Sequence, residues 1–294
     1  MKAWQKYFIY VSLLFLAAAL YRNNYLRIPG VFSFPSLILS FLFLFAGFLG
    51  NTLSWERILR KSNVRVGFNA CLAGIGLSIF GKYIPGKIWM IVGRAAYIAE
   101  RGRMSLGKLS AISLNAQLIT LWVGLVFGAV GVFLLGGIRL WGWLILSLWL
   151  ILSLLIFSDG THRRAERLFR KIFRRKLELP RLNFGSTLSI MPWFVLQWTL
   201  WSIGFYLLAL SLHPGHIPWT AGLGFPMAGS LGIMAVITPG GLGTREAVMA
   251  GYLALADFSL AEATTIAVAS RLWFLVGEVF IFLAGWTAHK IKEP

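Results

Sequence analysis

Long apolar segments that contain almost no charged residues constrain the fold of this chain more than any other feature. The segment from Leu109 to Leu135, for example, contains no Asp, Glu, Lys or Arg. A helix of about 20 apolar residues spans the hydrocarbon core of a membrane. Only 13% of the 294 residues are charged, whereas soluble domains carry about 25%. The sequence therefore predicts an all-α polytopic membrane protein with a single transmembrane domain over residues 1–294.

Six of the apolar segments are predicted to be full membrane spans. They cover residues 7–25, 34–55, 109–135, 142–157, 186–212 and 264–288. The first of them follows two lysines and resembles a signal peptide. We expect it to stay in the protein as an uncleaved span, because the rest of the chain is also embedded in the membrane.

Basic residues are concentrated at alternate ends of the predicted spans. Lys and Arg are enriched in cytoplasmic loops, so this pattern places both termini in the cytoplasm and the protein in the plasma (inner) membrane. A basic cytoplasmic segment covers residues 160–182, and we expect residues 163–181 to lie on anionic lipid headgroups. A simple topogenic charge cluster is the alternative. The net charge of +18 follows this topology and does not indicate a nucleic-acid partner.

Two further apolar segments are interrupted by proline and glycine, which break helices. These hairpins cover residues 66–99 and 218–256, and their tips are Pro85, Gly86, Pro239, Gly240, Gly241 and Gly243. Broken backbone is tolerated at membrane depth only where it is buried in protein or lines a watery cavity. The halves are too short for ordinary spans, so re-entrant helical hairpins are predicted. For the first unit, two complete short spans are the alternative.

The predicted elements have the same order in the two halves of the chain. Residues 1–135 and residues 142–288 each contain two spans, a hairpin and a final span. The first hairpin has basic flanks and enters from the cytoplasm, whereas the second enters from outside. The two halves therefore form a predicted inverted repeat, a plan in which the broken helices of many transporters meet near the membrane midplane.

Several charged residues fall within or beside the interrupted segments and in the last span. The predicted substrate-binding residues are Lys82, Lys87, Arg94, Arg245, Glu246, Arg271 and Glu278. A charge at membrane depth costs about 2.5–3.5 kcal/mol on insertion scales, so it is usually functional. Arg271 and Glu278 are seven residues apart and share a helix face. From there they can pair with Glu246 and Arg245, and a purely structural ion-pair network is the alternative.

The sequence contains no complete cofactor motif. Residues 81–87 match most of a phosphate-binding loop, but Ile88 occupies the position of the Ser or Thr that binds magnesium. The four histidines have no metal-ligand spacing, and the single cysteine, Cys71, excludes an intrachain disulfide. We therefore expect no nucleotide, metal or other cofactor.

Two motifs resemble those of a known membrane family. Residues 83–87 read Tyr-Ile-Pro-Gly-Lys with Arg94 downstream, and residues 238–247 read Thr-Pro-Gly-Gly-Leu-Gly-Thr-Arg-Glu-Ala. Together they are similar to the flippase-like integral membrane family that includes the transmembrane region of lysylphosphatidylglycerol synthase. The resemblance covers most of the chain and implies movement of a lipid, or of a polyprenyl-phosphate-linked sugar, between leaflets. The matching residues are Pro85, Gly86, Arg94, Gly240, Gly241, Gly243, Arg245 and Glu246.

The expected function is therefore a flippase that holds the phosphate-bearing headgroup of its substrate in a charged cavity near the midplane. The sequence ends after the last predicted span without the soluble transferase domain of the full synthase, so we do not expect lysyl transfer. No catalytic or nucleotide site is evident in the sequence, so we expect a transporter and not an enzyme. Two alternatives stay open: an intramembrane lipid-modifying enzyme, and a non-transporting subunit of a glycan or lipid synthesis complex. Besides the anionic lipid substrate, a homo-oligomer or a synthase partner is compatible with the sequence.

Overall fold

The computed structural model describes residues 30–84, 88–102, 104–136, 140–157, 184–235 and 239–291. The predicted first span, the basic segment at residues 160–182 and the predicted site or tip residues Pro85, Gly86 and Lys87 lie outside these ranges. Every regular element in the described ranges is an α-helix or a 3₁₀ turn. The prediction of an all-α protein is therefore confirmed.

The described α-helices are numbered here in chain order. They are α1 (Phe34–Lys61), α2 (Phe68–Ser78), α3 (Ile88–Gly102), α4 (Leu106–Leu134), α5 (Leu140–Phe157), α6 (Phe184–Leu212), α7 (Gly224–Met234), α8 (Thr244–Leu255) and α9 (Leu260–Lys290). Three 3₁₀ turns cover Ile79–Tyr83, Trp219–Leu223 and Pro239–Gly241.

Four of these helices are long and apolar enough to cross a membrane: α1, α4, Gly185–Leu212 of α6, and α9. They coincide with the spans predicted at residues 34–55, 109–135, 186–212 and 264–288. Helix α5 covers the span predicted at residues 142–157, but its apolar stretch, Gly142–Leu154, is shorter. The protein is therefore a multi-pass membrane protein, and among the described residues four of the six predicted spans have helices of the required length.

Local sequence signals define where the long helices begin. Ser33 precedes α1, and its hydroxyl oxygen accepts a hydrogen bond from the backbone N–H of Ser36 at 3.4 Å. A capping box precedes α9, in which the Ser259 N–H donates to the Glu262 carboxylate at 3.0 Å and the Glu262 N–H donates to the Ser259 hydroxyl at 3.3 Å. Both arrangements satisfy N–H groups that have no partner inside the helix.

Helix packing uses small residues, as expected where lipid replaces water around the bundle. Helix α1 lies along α6, and α9 packs against α2 and α8. At the contact of α2 with α9, a Cβ added to Gly285 would lie 2.8 Å from the Cα of Gly76. At the contact of α4 with α7, a Cβ added to Gly124 would lie 3.1 Å from the carbonyl oxygen of Pro226. The backbones approach this closely because these positions carry no side chain.

The two interrupted segments form helix–break–helix units. In the first unit the 3₁₀ turn Ile79–Tyr83 lies between α2 and α3, and in the second the 3₁₀ turn Pro239–Gly241 lies between α7 and α8. The interruption between α2 and α3 is called the first break, and the one between α7 and α8 is called the second break. Helices α2 and α7 have 11 residues each, so each is roughly 16 Å long. That length is about half of the roughly 30 Å hydrocarbon thickness of a bilayer.

The two units lie at opposite ends of α9. The start of α2 and the end of α3 are near the C-terminal half of α9, where the Tyr97 hydroxyl lies 3.0 Å from the Nδ1 atom of His289. The start and end of the second unit are held together near the beginning of α9, where the Tyr252 hydroxyl donates to the Thr220 carbonyl at 2.8 Å.

The breaks of the two units meet between these ends. A Cβ added to Gly240 would lie 2.7 Å from the ring of Tyr83. The contact joins Tyr83 and Gly240, whereas the predicted tips Pro85 and Gly86 lie outside the described residues, so the meeting of the tips stays a prediction. Entry of the hairpins from opposite membrane faces, and the inverted repeat, stay predictions, because these contacts relate the units to α9 and not to a bilayer.

Candidate functional site

A cavity of about 260 Å³ lies where the two helix–break–helix units meet α1, α4, α6 and α9. Its charged lining residues, within the described part of the chain, are all basic: Lys82, Arg94, Arg245 and Arg271. The other walls are mainly aromatic and aliphatic, with a few neutral polar groups. The polar residues are Asn51, Ser78, Gln117 and Thr120, and the aromatic ones include Trp198, Trp201, Phe225 and Phe274. Four predicted binding residues thus lie around one cavity.

Glycines with positive φ shape the break of the second unit. The φ angles of Gly240, Gly241 and Gly243 are 60°, 72° and 79°. Residues with a Cβ avoid this region at a cost of roughly 1–2 kcal/mol each, so the run of glycines allows a turn that other residues resist. Helix α8 begins directly after it, at Thr244. The turn therefore fixes Arg245 and Glu246 in the first turn of α8.

Arg245 lies between two aromatic rings at the edge of the cavity. Its guanidinium carbon is 4.5 Å from the ring centroid of Phe225 and 4.6 Å from that of Phe274. The residue is only 7% exposed, yet its Nε and Nη2 atoms donate no hydrogen bond to any described residue. Ring contacts hold the side chain in place, and these two nitrogens have no acceptor among the described residues.

The Glu246 carboxylate accepts a hydrogen bond from the backbone of the second break and also lies near a cation of α9. The backbone N–H of Gly243 donates to the Glu246 carboxylate at 2.7 Å. The other carboxylate oxygen lies 3.9 Å from the Nε atom of Arg271, a distance that gives an ion pair without a hydrogen bond. Glu246 therefore stabilises the N-terminus of α8 and only weakly compensates Arg271.

The first break is held by a buried carboxylate of α9. Glu278 is 0% exposed and pairs with the ammonium group of Lys82. Its second oxygen accepts a hydrogen bond from the Tyr83 hydroxyl at 2.8 Å. Sequence spacing suggested Arg245 as its partner, but Glu278 binds the two residues of the first break instead. The side chain of Lys82 remains 17% exposed and lines the cavity.

Arg271 lies on α9 between the two breaks. It is 2% exposed, its guanidinium carbon lies 5.3 Å from the ring centroid of Tyr83, and its Nη2 atom would lie 3.0 Å from a Cβ added to Gly240. Arg271 and Glu278 therefore share one face of α9, as their spacing of seven predicts. Through this face α9 contacts both breaks.

Arg94 lines the cavity but is anchored to the neighbouring helix α4. Its Nε donates to the Ser113 hydroxyl at 2.6 Å and its Nη2 donates to the Ser113 carbonyl at 2.7 Å. The guanidinium carbon also lies 4.6 Å from the ring centroid of Trp55. These contacts give Arg94 a structural role in joining α3 to α4, in addition to its position at the cavity.

Several residues around the cavity were not singled out by sequence reasoning. Tyr83 and Ser113 hold charged partners from other helices, and nothing in their local sequence indicates those contacts. The Nδ2 atom of Asn51 donates to the Gln197 side-chain oxygen at 3.0 Å, a contact that joins α1 to α6. Gln117 lines the cavity.

The fold and the cavity define a class: a multi-pass helical membrane protein in which two interrupted helical units enclose a basic cavity. Residues 6–285 match the family described as the lysylphosphatidylglycerol synthase TM region, and the chain belongs to this family. The family predicted from the two sequence motifs is therefore confirmed. No curated protein sequence matches the chain.

Proposed function

We propose that this protein moves a lipid with a phosphate-bearing headgroup, such as a phospholipid or a polyprenyl-phosphate-linked sugar, across the membrane. Membership of the family suggests a lipid-related function in a membrane. The convergence of four basic side chains on one cavity supports the more specific proposal. In this function the cavity binds the headgroup while the tail remains in the bilayer.

Electrostatics favours an anion in the cavity. Two like charges about 4 Å apart repel by about 4 kcal/mol at an effective dielectric constant of about 20, and burial weakens screening by salt. Of the four lining cations, Lys82 contacts a carboxylate closely and Arg271 contacts one at 3.9 Å. A phosphate group placed among these cations converts repulsion into attraction. Its oxygens also accept hydrogen bonds from the unused donors of Arg245.

The cavity wall formed by the start of α3 provides access for a lipid headgroup. Ile88 lines the cavity and is 54% exposed, so the wall reaches the surface of the molecule at this point. An apolar residue at that position suits a lipid whose headgroup enters while its tails stay outside. Transport then requires the cavity to open alternately to each leaflet, and displacement of the two units along α9 is the simplest movement that achieves this.

The ends of α9 support the proposed orientation in the plasma (inner) membrane. Glu262 lies in its first turn, and His289 and Lys290 lie in its last turn. Arg101, at the end of α3, lies 3.4 Å from the Nδ1 atom of His289, so basic residues of two helices meet at one end. Under the positive-inside rule a basic end of this kind favours a cytoplasmic position, and this supports the proposal that the C-terminus is cytoplasmic. Transport runs downhill or is coupled to an ion gradient.

Transport in reconstituted vesicles tests the proposal. The full chain is inserted into lipid vesicles that contain a labelled anionic phospholipid or a labelled polyprenyl-phosphate sugar, and the fraction reaching the opposite leaflet is measured over time. We expect transport of at least one phosphate-bearing lipid and a loss of about tenfold or more in Arg245→Gln, because a buried charged hydrogen bond contributes about 1.5–3 kcal/mol.

Arg65→Gln is the matched control for Arg245→Gln. Arg65 is an exposed arginine in the loop before α2 and does not line the cavity that contains Arg245. Its variant should transport at the unmodified rate. If vesicles with correctly folded protein move no anionic lipid faster than empty vesicles, the transport proposal is wrong.

A charge exchange separates headgroup binding from scaffolding. In Lys82→Glu/Glu278→Lys the ion pair is preserved, while the positive charge moves from the first break to α9. If the pair only holds the break in place, this variant transports normally. If Lys82 binds the headgroup, transport falls although the protein is folded, and we expect the latter.

Product analysis separates transport from enzymatic modification. We propose that the protein is not an enzyme, so labelled lipid recovered from the vesicles should be chemically unchanged. Thin-layer chromatography and mass spectrometry of the recovered lipid measure this directly. A new lipid species that forms only with the intact protein would instead favour the intramembrane enzyme.

A further inference from the structure

We propose that the cavity is matched to a headgroup with two negative charges, such as a phosphate monoester or a diphosphate, rather than to a phosphodiester with one. This inference rests on the proposed function and specifies its substrate. It follows from the charges around the cavity, from the donors of Arg245 and from the volume of the cavity.

The described residues around the cavity carry two more cations than anions. Lys82 is compensated by Glu278, and Arg271 lies 3.9 Å from Glu246. Arg94 and Arg245 line the same cavity, and among the described residues neither has a carboxylate within 4 Å (Arg94 binds the neutral Ser113, and Arg245 contacts rings). These four cations and two carboxylates therefore carry a net charge of about +2, which a dianion neutralises.

The N–H donors of the Arg245 guanidinium group are arranged in a way that suits a phosphate group. Its Nε and Nη2 atoms have no acceptor among the described residues, although the side chain is 93% buried. A guanidinium group binds two phosphate oxygens at once through a planar fork of N–H donors. Arg245 also lies in the first turn of the 12-residue helix α8, whose N-terminal dipole adds positive potential at the same place.

The cavity volume favours a small, highly charged group. About 260 Å³ is below the roughly 300–1,000 Å³ of pockets that hold drug-sized ligands. A phosphate or diphosphate group fits this volume. A monoester carries about 1.5 to 2 negative charges at pH 7, and a diphosphate diester carries two. A phosphodiester carries one, so it leaves one of the two arginine charges without an anion.

Isothermal titration calorimetry on the full chain in detergent tests the charge preference. The probes are three dioctanoyl lipids: phosphatidic acid, which is a monoester; CDP-diacylglycerol, which is a diphosphate diester; and phosphatidylglycerol, which is a phosphodiester. Near pH 8 we expect the first two lipids to bind at least about tenfold more tightly than the third. At an effective dielectric constant of about 20, the attraction between one extra unit charge and a nearby cation is larger than the binding free energy that a tenfold difference in affinity requires.

The pH dependence provides an internal control. Lowering the pH from about 8 to about 5.5 protonates the monoester, whose second pKa is about 6, so the binding of phosphatidic acid should weaken. CDP-diacylglycerol keeps its diphosphate charge across this range. Its binding therefore reports any titration of the groups that border the cations, namely Glu246, Glu278 and Tyr83. Equal weakening of both lipids would assign the effect to the protein and contradict the monoester assignment.

Two variants connect the preference to Arg245. Arg245→Gln removes one uncompensated charge, so the preference for phosphatidic acid over phosphatidylglycerol should fall several-fold. Arg245→Lys keeps the charge but loses the fork, and it should retain the preference with weaker binding of both lipids. Arg65→Gln, an exposed control, should change neither value.

The outcomes distinguish this inference from the proposed function. If phosphatidylglycerol binds as tightly as the dianionic lipids while vesicle transport persists, the charge preference is wrong and the transport function stands. If none of the lipids binds and none is transported, the proposed function is wrong. Inorganic phosphate that displaces phosphatidic acid at equal concentration would assign the cavity to a free anion and overturn the lipid assignment.

Discussion

The two breaks that meet at the cavity are held in different ways. In the first, Lys82 and Tyr83 are bound to the buried carboxylate of Glu278 on α9. In the second, the run of positive-φ glycines sets the backbone, and Arg245 is held by aromatic rings while two of its donors stay unused by described residues. The first break is therefore stabilised by charged contacts, whereas the second presents a charge that is ready for a ligand.

This difference suggests a division of roles between the two units. When one partner of a buried ion pair is removed, the other charge is left buried without compensation, and this destabilises the fold. A buried guanidinium without a carboxylate partner lowers stability in the empty protein but contributes to binding when an anion arrives. Substitutions that remove one partner of the Lys82–Glu278 pair should consequently act mainly on folding, and those at Arg245 mainly on binding.

The largest effect on stability is expected for Glu278→Gln. The substitution leaves the charge of Lys82 buried without its carboxylate, and breaking one partner of such a pair destabilises by about 3–5 kcal/mol. Denaturant unfolding in detergent measures the loss. The double variant Lys82→Met/Glu278→Gln should recover most of it, because both charges are then absent. An unchanged unfolding midpoint in the single variant would show that the first break is not held by this ion pair.

A smaller loss is expected for Ser113→Ala, which tests the anchoring of Arg94 in the first unit. The variant removes the hydroxyl that accepts from Arg94, and a hydrogen bond to a charged group contributes about 1.5–3 kcal/mol. Ser40→Ala is the matched control, since Ser40 is equally buried but its hydroxyl donates only to the carbonyl of Leu37 in its own helix. Equal losses in the two variants would contradict a special role for the Arg94 contact.

Gly240→Ala and Gly243→Ala separate backbone strain from contact between the breaks. Both glycines have positive φ, so each alanine should lower stability by roughly 1–2 kcal/mol. A Cβ at residue 240 would also meet the ring of Tyr83 at 2.7 Å, whereas nothing lies within 4 Å of a Cβ at residue 243. Gly240→Ala should therefore cost more than Gly243→Ala and also reduce lipid binding. Indistinguishable behaviour of the two variants would mean that the breaks do not restrain each other.

The smallest effect is expected for Glu246→Gln. The amide oxygen of glutamine can still accept from the Gly243 N–H, so only the favourable charge at the start of α8 and the 3.9 Å pair with Arg271 are lost. A carboxylate at a helix N-terminus contributes about 0.3–1 kcal/mol. Thermal unfolding in detergent, compared with Glu278→Gln, measures the difference. A loss as large as that of Glu278→Gln would remove the distinction between the two breaks.

The local features of the fold follow from the sequence. Apolar segments around residues 34–55 and 109–135 become long helices because lipid leaves backbone groups no partner outside the helix. Three glycines within four residues allow the positive-φ turn before α8 for a similarly local reason. The two motifs, at residues 83–94 and 238–247, together predicted the family, which the match over residues 6–285 confirms.

The pairing of charged groups required the tertiary structure. Spacing within α9 predicted that Arg271 and Glu278 share a face, because the helix period is fixed by the backbone. It did not identify Lys82 as the partner of Glu278, since the two residues are 196 positions apart and no local rule connects them. The anchoring of Arg94 by Ser113 likewise depends on how α3 and α4 pack.

By itself, then, the sequence determined the membrane class, four long helices, the two interrupted segments and four of the cations that line the cavity. Only the tertiary structure decided which of those cations are compensated and which are left facing the cavity. The physical reason is that backbone hydrogen bonding and helix periodicity act over a few residues, whereas compensation of a buried charge depends on atoms brought together from distant helices.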